Sequence, residues 1–270
     1  MTTTTLQVAE RPRAFVAVRG PDAASYLERM LSNVVDDLAP GEAREALLLT
    51  AKARVVAIMT VLRRDADDFL LLTEPELGET LRDALLRARF AAKCVVEPEA
   101  HRSTLVLGRE TGGVPNHDYG LPAVELLDAE PPEGAGAIDD EALERLRIRA
   151  LTPRMGRELD DRVMPAEAGL EERAISFTKG CYPGQEPVAR LHYRGRPNRA
   201  LRLVTVEAGE LPARDAELLL DGRAVGRLTS AARDDEHGIV ALAFVRREVP
   251  AEALLALADG RVARLLAPRP

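Results

Sequence analysis

The chain has 270 residues, 46% of them hydrophobic, enough for one large folding region and a smaller one. Aromatic residues make up only 3% and tryptophan is absent, so the core must rest on Leu, Val and Ala. A formal net charge of -7, with acids and bases interleaved, argues against a constitutive nucleic-acid binder with a basic stripe, although a local basic patch stays compatible with it.

Residues 14–18 alternate into a short strand that Gly20 and Pro21 break. Asp22 is placed to cap a helix through Leu31, with Ala23, Tyr26, Leu27, Met30 and Leu31 at helical spacing. After a Pro40-Gly41 turn, apolar runs at 46–50, 55–62 and 69–73 predict an antiparallel meander. A helix over 76–90 and a strand over 93–97 complete an α+β unit. Strands at 103–107 and 123–127 flank a loop rich in Gly, Pro and Asn. Residues 131–136 form a linker, and Asp139 caps a helix to about residue 150. That makes a second α+β unit. From Leu201 the pattern changes to short strands at 201–206, 217–220, 224–229, 239–245 and 261–266, with turns such as Asp221-Gly222 and Asp259-Gly260. This spacing predicts a small β-barrel or sandwich, so the chain divides into 1–199 and 200–270.

Two cysteines, Cys94 and Cys181, cannot form a disulfide framework and fit a reducing compartment. Met1 to Thr5 show no basic region followed by an apolar stretch, and no run approaches the roughly 20 apolar residues of a membrane span. A cytoplasmic protein without a membrane partner is expected. His101, His117, His192 and His237 are scattered without metal-ligand spacing, so no metal is expected. Gly108 to Gly113 lacks the Lys-Ser/Thr ending of a phosphate loop.

The chemistry concentrates in Lys179-Gly180-Cys181-Tyr182-Pro183-Gly184-Gln185-Glu186. Pro183-Gly184 fits the central pair of a type II turn, and Pro187 fits the first position of a helix that ends at Gly195. Cys181 then lies before a turn, near a helix N-terminus and close to Lys179. Such settings lower a thiol pKa from about 8.5 to roughly 3.5–7.5, which makes Cys181 a candidate reactive thiol. Arg190 and Arg194, four residues apart, share one helix face, and Arg196, Arg199 and Arg202 extend a basic patch suited to carboxylate or phosphate ligands. The same residues also read as a cysteine packed in a turn beside a solvated arginine face.

The run from Lys179 to Glu186 resembles the KGCYxGQE signature of the YgfZ family, and the match continues through Val188-Ala189-Arg190 and Arg194-Gly195. Leu31-Ser32-Asn33-Val34 is similar to that family's LSND segment, and Met164-Pro165-Ala166-Glu167 to its P-x-E element. Val225-Gly226-Arg227-Leu228-Thr229-Ser230 resembles the VGxVTS turn in the barrel domain of the related T-protein, the aminomethyltransferase of glycine cleavage. The resemblance implies an α+β fold: a T-protein-like folate-binding region of two α+β units, then a small C-terminal β-barrel. It also implies tetrahydrofolate as ligand and a role in iron–sulfur cluster assembly or repair, with iron–sulfur assembly proteins or client enzymes, some of them tRNA-modifying, as partners. No direct nucleic-acid contact is expected. The residues expected at the folate site are Asn33, Arg54, Glu167, Lys179, Tyr182, Gln185, Arg190 and Arg194. The last two are expected at the pocket mouth, on the glutamyl tail.

Three departures from the family pattern stand out. Ala57 and Ile58 stand where T-proteins carry an acidic pair, which disfavours aminomethyl transfer. The family's Gly-Arg has become Ala53-Arg54, and in the run from Arg147 to Leu151 its E-A-G step has become Arg149-Ala150-Leu151, placing a donor where an acceptor grips the pterin. A folate-dependent one-carbon transferase and a Cys181-based thiol enzyme are the alternatives.

Overall fold

The chain opens with a strand that its short sequence pattern does not announce, β1 (Gln7–Glu10). The computed structural model describes residues 5–266. Met1 to Thr4, where no leader is expected, lie outside the described residues.

Next come β2 (Ala14–Arg19), α1 (Ala23–Met30), β3 (Ala43–Leu49), β4 (Val55–Asp65), β5 (Asp68–Thr73), α2 (Gly78–Ala88) and β6 (Val95–Glu99). The predicted meander is present, and its strands build an antiparallel sheet in the order β3-β4-β5-β2-β6. Along β4, Ala57, Met59 and Val61 are buried against α1 and α2, while Ile58 and Thr60 alternate to the opposite face. One expected contact differs. Asp22 does not cap α1 with its side chain; the carboxylate accepts from the backbone N–H of Lys93 at 2.7 Å and ties the helix start to β6.

The second unit contains β7 (Ser103–Leu107), β8 (Val114–Pro115), β9 (Ala123–Leu127), β10 (Gly136–Ala137) and α3 (Asp140–Arg149), and Asp139 caps α3 through the N–H of Ala142 at 2.8 Å. Its sheet runs β10-β1-β7-β9-β8. The N-terminal strand therefore belongs to the second unit, antiparallel to β7 with Gln7 opposite Leu107. This crossing carries the chain between the two sheets at Arg11 and Arg13, the position on which the central cavity depends.

After a 3-10 turn at Pro165–Ala168 come α4 (Glu171–Ala174) and α5 (Gln185–Arg194). The remaining strands, β11 (Arg199–Val206), β12 (Glu217–Leu220), β13 (Arg223–Asp234), β14 (Gly238–Arg246), β15 (Leu254–Ala256) and β16 (Val262–Leu266), close a barrel in the order β11-β14-β13-β12-β15-β16. The β12–β13 hairpin turns on Asp221 and Gly222, both at positive φ (49° and 76°), as a two-residue type I′ loop requires.

Aliphatic residues fill the cores. Val204, Leu218, Leu228, Ala241 and Leu255 pack inside the barrel. A separate cluster joins Leu47 and Val55 to Ile148, Tyr182, Val188, Leu203 and Phe244, so the signature segment is clamped between the first sheet and the barrel. Fully burying one such aliphatic side chain stabilises by about 1.5–3 kcal/mol. No helix among the described residues is long and apolar enough to cross a membrane.

Candidate functional site: a charged cavity and the signature loop

Two features with functional chemistry emerge, and they are separate. The first is a narrow cavity between the sheets, of about 50 Å3, that opens to solvent. Ala43, Ile58, Met59, Leu72, Pro115 and Pro153 give it apolar wall, and Arg11, Arg13, Glu45, Glu74, Asp118 and Arg154 give it charge. Arg13 is central. Its Nε donates to Glu125 Oε2 at 3.0 Å, its Nη1 reaches Glu74 Oε1 at 3.2 Å, and Nη2 lies 3.7 Å from Asp118 Oδ2. Arg11 joins Glu74 at 2.6 Å, and Arg173 bridges Asp118 at 3.0 Å to Glu45 at 2.7 Å.

Burial alone would raise the carboxyls of Asp118 and Glu125. Arg13 together with Arg173 and Arg11 at Asp118, and with Asn116 and Arg11 at Glu125, outweighs it and holds both below the ordinary carboxylate range. Glu45 goes the other way: burial pushes its carboxyl up, and Arg173 only partly opposes this. Arg173 engages Oε2, which leaves Glu45 Oε1 buried without a hydrogen-bond partner, and Arg11 Nε is buried without one as well. An unmet donor and an unmet acceptor on residues that line one cavity are costly left unmet and useful to a ligand that presents both. Sequence reasoning missed these residues. One signal was available: Glu125 is an acid in the middle of the apolar run Ala123-Val124-Glu125-Leu126-Leu127, where burial demands a partner.

The second feature is the signature loop. Gly184 has φ +83° and the N–H of Gln185 donates to Tyr182 O at 3.2 Å, which is the expected type II turn. A Cβ on Gly184 would meet the backbone oxygen of Thr50 at 2.5 Å, so only glycine lets the loop seat against the β3–β4 turn. The helix begins earlier than predicted, with Gly184 as N-cap, so Pro187 is its third residue instead of its first. Proline is tolerated there because that N–H has no intrahelical partner.

The lysine of the signature is not a free cation. Lys179 Nζ donates to Asn33 O at 2.6 Å and Leu31 O at 2.9 Å and pairs with Glu28 Oε1 at 3.0 Å, so its three N–H groups are consumed. With all three N–H groups taken, Lys179 donates no hydrogen bond to the Cys181 thiol. Cys181 itself is exposed, whereas Cys94 is buried and burial pushes its thiol pKa up. Alkylation at mildly acidic pH is therefore expected to label Cys181 at least about tenfold faster than Cys94. Peptide mapping checks this, and preferential labelling of Cys94 would contradict it.

The other expected site residues have structural partners or none. Asn33 Nδ2 donates to Glu45 O at 2.9 Å, Arg54 Nη1 to Arg162 O at 2.8 Å, and Glu167 receives Arg199 Nε at 2.9 Å and its own N-cap N–H, from Met164, at 2.9 Å. Tyr182 is buried with its hydroxyl unpartnered, and burial pushes its pKa up to about 12. Gln185 Nε2 makes long contacts, 3.4–3.5 Å, to the loop carbonyls of Lys179 and Gly180. Arg190 and Arg194 are exposed on α5. None of these residues, nor Cys181, lines the charged cavity.

Arg149 corrects a second expectation. It does not place a donor among the residues lining the cavity; its Nε and Nη2 clasp Asp234 on the barrel, each at 2.7 Å. Asp234, Glu236 and His237 bring one potential ligand atom each within 4.8 Å of one another, but Arg149 engages both carboxylates and would repel a cation there. Where the family has glycines, this chain keeps the glycine backbone: Ala53 has φ +57° and Leu151 φ +56°. At Leu151 a Schellman cap closes α3, with Leu151 N–H donating to Ile148 O and Thr152 N–H to Arg147 O. Ile58 does line the cavity, as an apolar group.

No family model matches the sequence. The chain is 30% identical to the tRNA-modifying protein YgfZ of Edwardsiella ictaluri, over 94% of this chain and 89% of that one. Identity to the tRNA-modifying protein YgfZ of Escherichia coli O157:H7 is 24%, over 95% and 90% of the two chains. An uncharacterized protein of Haemophilus influenzae is 29% identical over 82% of each. The fold matches that of the glycine cleavage system aminomethyltransferase T from Bartonella henselae with a TM-score of 0.84, covering 98% of this chain and 86% of that one at 17% identity.

Proposed function

The chain belongs to the YgfZ family, and on that premise we propose that it is a cytoplasmic folate-binding protein that supports tRNA modification. The observation that carries the folate reading is the pair of unmet polar atoms on cavity residues, Glu45 Oε1 and Arg11 Nε. The edge of a pterin ring alternates N–H donors with O and N acceptors. A buried carboxylate oxygen and a guanidinium N–H fit that pattern, and Ile58, Met59 and Leu72 offer apolar wall to the ring. Glu45 would hold the donor edge and so replace the acceptor that Arg149 no longer supplies, with Arg173 keeping its carboxylate oriented. When bound, tetrahydrofolate supplies a one-carbon carrier.

Ile58 speaks against the transferase reading, since an apolar group can neither orient nor accept a proton at the position of the T-protein acid. The thiol-enzyme reading needs a base hydrogen-bonded to Cys181, and no such bond is formed among the described residues. Our finer reading is that the clients are iron–sulfur enzymes of tRNA modification. One exposed cysteine cannot hold a cluster that normally takes four protein ligands, so Cys181 would act on a partner's cluster transiently.

Titration calorimetry with tetrahydrofolate tests the ligand. Glu45→Gln is expected to weaken binding by about 10- to 100-fold, as for loss of a hydrogen bond to a charged group. No binding by the unaltered protein, or equal affinity in both, would remove folate from this cavity.

A further inference from the structure

We infer that the outer face of α5 is a docking surface for an unpaired loop of RNA. This rests on the tRNA reading above and names the part of the chain that would touch the nucleic acid.

Three unpaired arginines cluster on this face. Elsewhere in this acidic chain the arginines are mostly tied to carboxylates or carbonyls. Arg190, Arg194 and Arg196 are exposed and form neither an ion pair nor a side-chain hydrogen bond among the described residues. At about 100° per residue, Arg190, Tyr193 and Arg194 fall within one side of the helix, and Arg196 follows just past the extended Gly195. The one acid nearby on the helix, Glu186, is exposed and makes no pair with Arg190.

The second observation concerns rings. Of the four tyrosines, Tyr26, Tyr119 and Tyr182 are buried, whereas Tyr193 is 67% exposed. Phe177 and His192 stack on each other with centroids 3.8 Å apart and planes at 19°, and Tyr193 stands T-shaped to both, at 6.1 and 4.9 Å. An exposed tyrosine buttressed by two rings is a preorganised platform for a flat partner, and unpaired arginines on its flank suit phosphates. Stacking plus cations is how unpaired nucleic acid is held. Duplex RNA fits poorly, because its deep, narrow major groove does not admit a helix and its bases are already stacked.

Fluorescence anisotropy with a labelled RNA hairpin, and with a blunt RNA duplex of equal length, tests the assignment on the full chain. The hairpin should bind more tightly than the duplex, and three phosphate contacts predict a slope of log K against log salt of about -2. Tyr193→Ala should weaken the hairpin by about 5- to 150-fold and leave the slope unchanged. Arg190→Ala, Arg194→Ala and Arg196→Ala combined should bring the slope towards zero. Calorimetry with tetrahydrofolate on the same variants reports separately on the cavity, so a failure of folate binding and a failure of RNA binding are distinguishable. No hairpin binding at low salt, indifference to Tyr193→Ala, or equal binding of duplex and hairpin would overturn the proposal. So would weakened polyglutamyl-folate binding in the triple variant with hairpin binding intact, which would return these arginines to the folate tail.

Discussion

Arg13→Met is expected to destabilise the fold by about 3–5 kcal/mol, the cost of breaking a buried ion pair by removing one partner. The side chains of Arg13 and Glu125 are only 8% and 3% exposed, and Glu125 also accepts from Ser103 Oγ and Asn116 Nδ2, both at 2.8 Å. Methionine keeps much of the volume but strands Glu125 and weakens the compensation of Glu74 and Asp118. Because Arg13 joins β2 to β9, the loss falls on the contact between the two sheets. Denaturant unfolding of both proteins at neutral pH measures it. Acid titration of stability gives a second readout. Asp118 and Glu125 have folded pKa values depressed below the unfolded ones, so each contributes stability above about pH 4 that is lost as pH falls through the folded value. In Arg13→Met that acid-dependent loss should shrink, since the group that depresses both carboxyls is gone. A change under about 1 kcal/mol, within the range of an exposed pair, would mean that the network is solvated.

Lys179→Met is expected to cost about 2–4 kcal/mol and to free the signature loop. The Lys179 side chain is 1% exposed and its ammonium joins α5's leading loop to the end of α1 through two carbonyls and Glu28. Removing it leaves those carbonyls without a donor and Glu28, itself 17% exposed, without its cation. Burial opposes the charged form of Lys179, and the hydrogen bond and charge of Glu28 offset this only in part. A guanidinium is too broad and planar for three acceptors arranged around one nitrogen, so Lys179→Arg should not restore stability. Thermal unfolding and the Cys181 alkylation rate report the two effects, with faster labelling in the variant. If Lys179 instead touches a ligand, Lys179→Met would lower folate affinity at unchanged stability.

Much of the architecture was legible because it is local. Alternation along residues 55–62 marks β4 as a strand with two faces, and Asp221-Gly222 marks a hairpin since few other pairs accept two positive φ angles. The turn at Pro183-Gly184 follows from the same steric logic. The site was less legible. Lys179 reads as a free cation in sequence, yet its acceptors come from residues about 150 positions earlier in the chain. Arg149 looks like an intruder in a pterin slot until the barrel supplies Asp234. Glu45 carries no local signal, because its unmet oxygen depends on Arg173 taking the other one.

By itself, then, the sequence determined the backbone: two α+β units, a barrel of short strands, and a signature loop with a glycine at the one place where a Cβ would strike Thr50. These follow from φ preferences and hydrophobic period, which act over a few residues. Only the tertiary structure decided that β1 joins the second sheet, that buried arginines and carboxylates meet at a cavity, and that the aromatic and arginine face of α5 is not part of its lining. Charge pairing and burial depend on distances across the fold, and residues far apart in sequence set them.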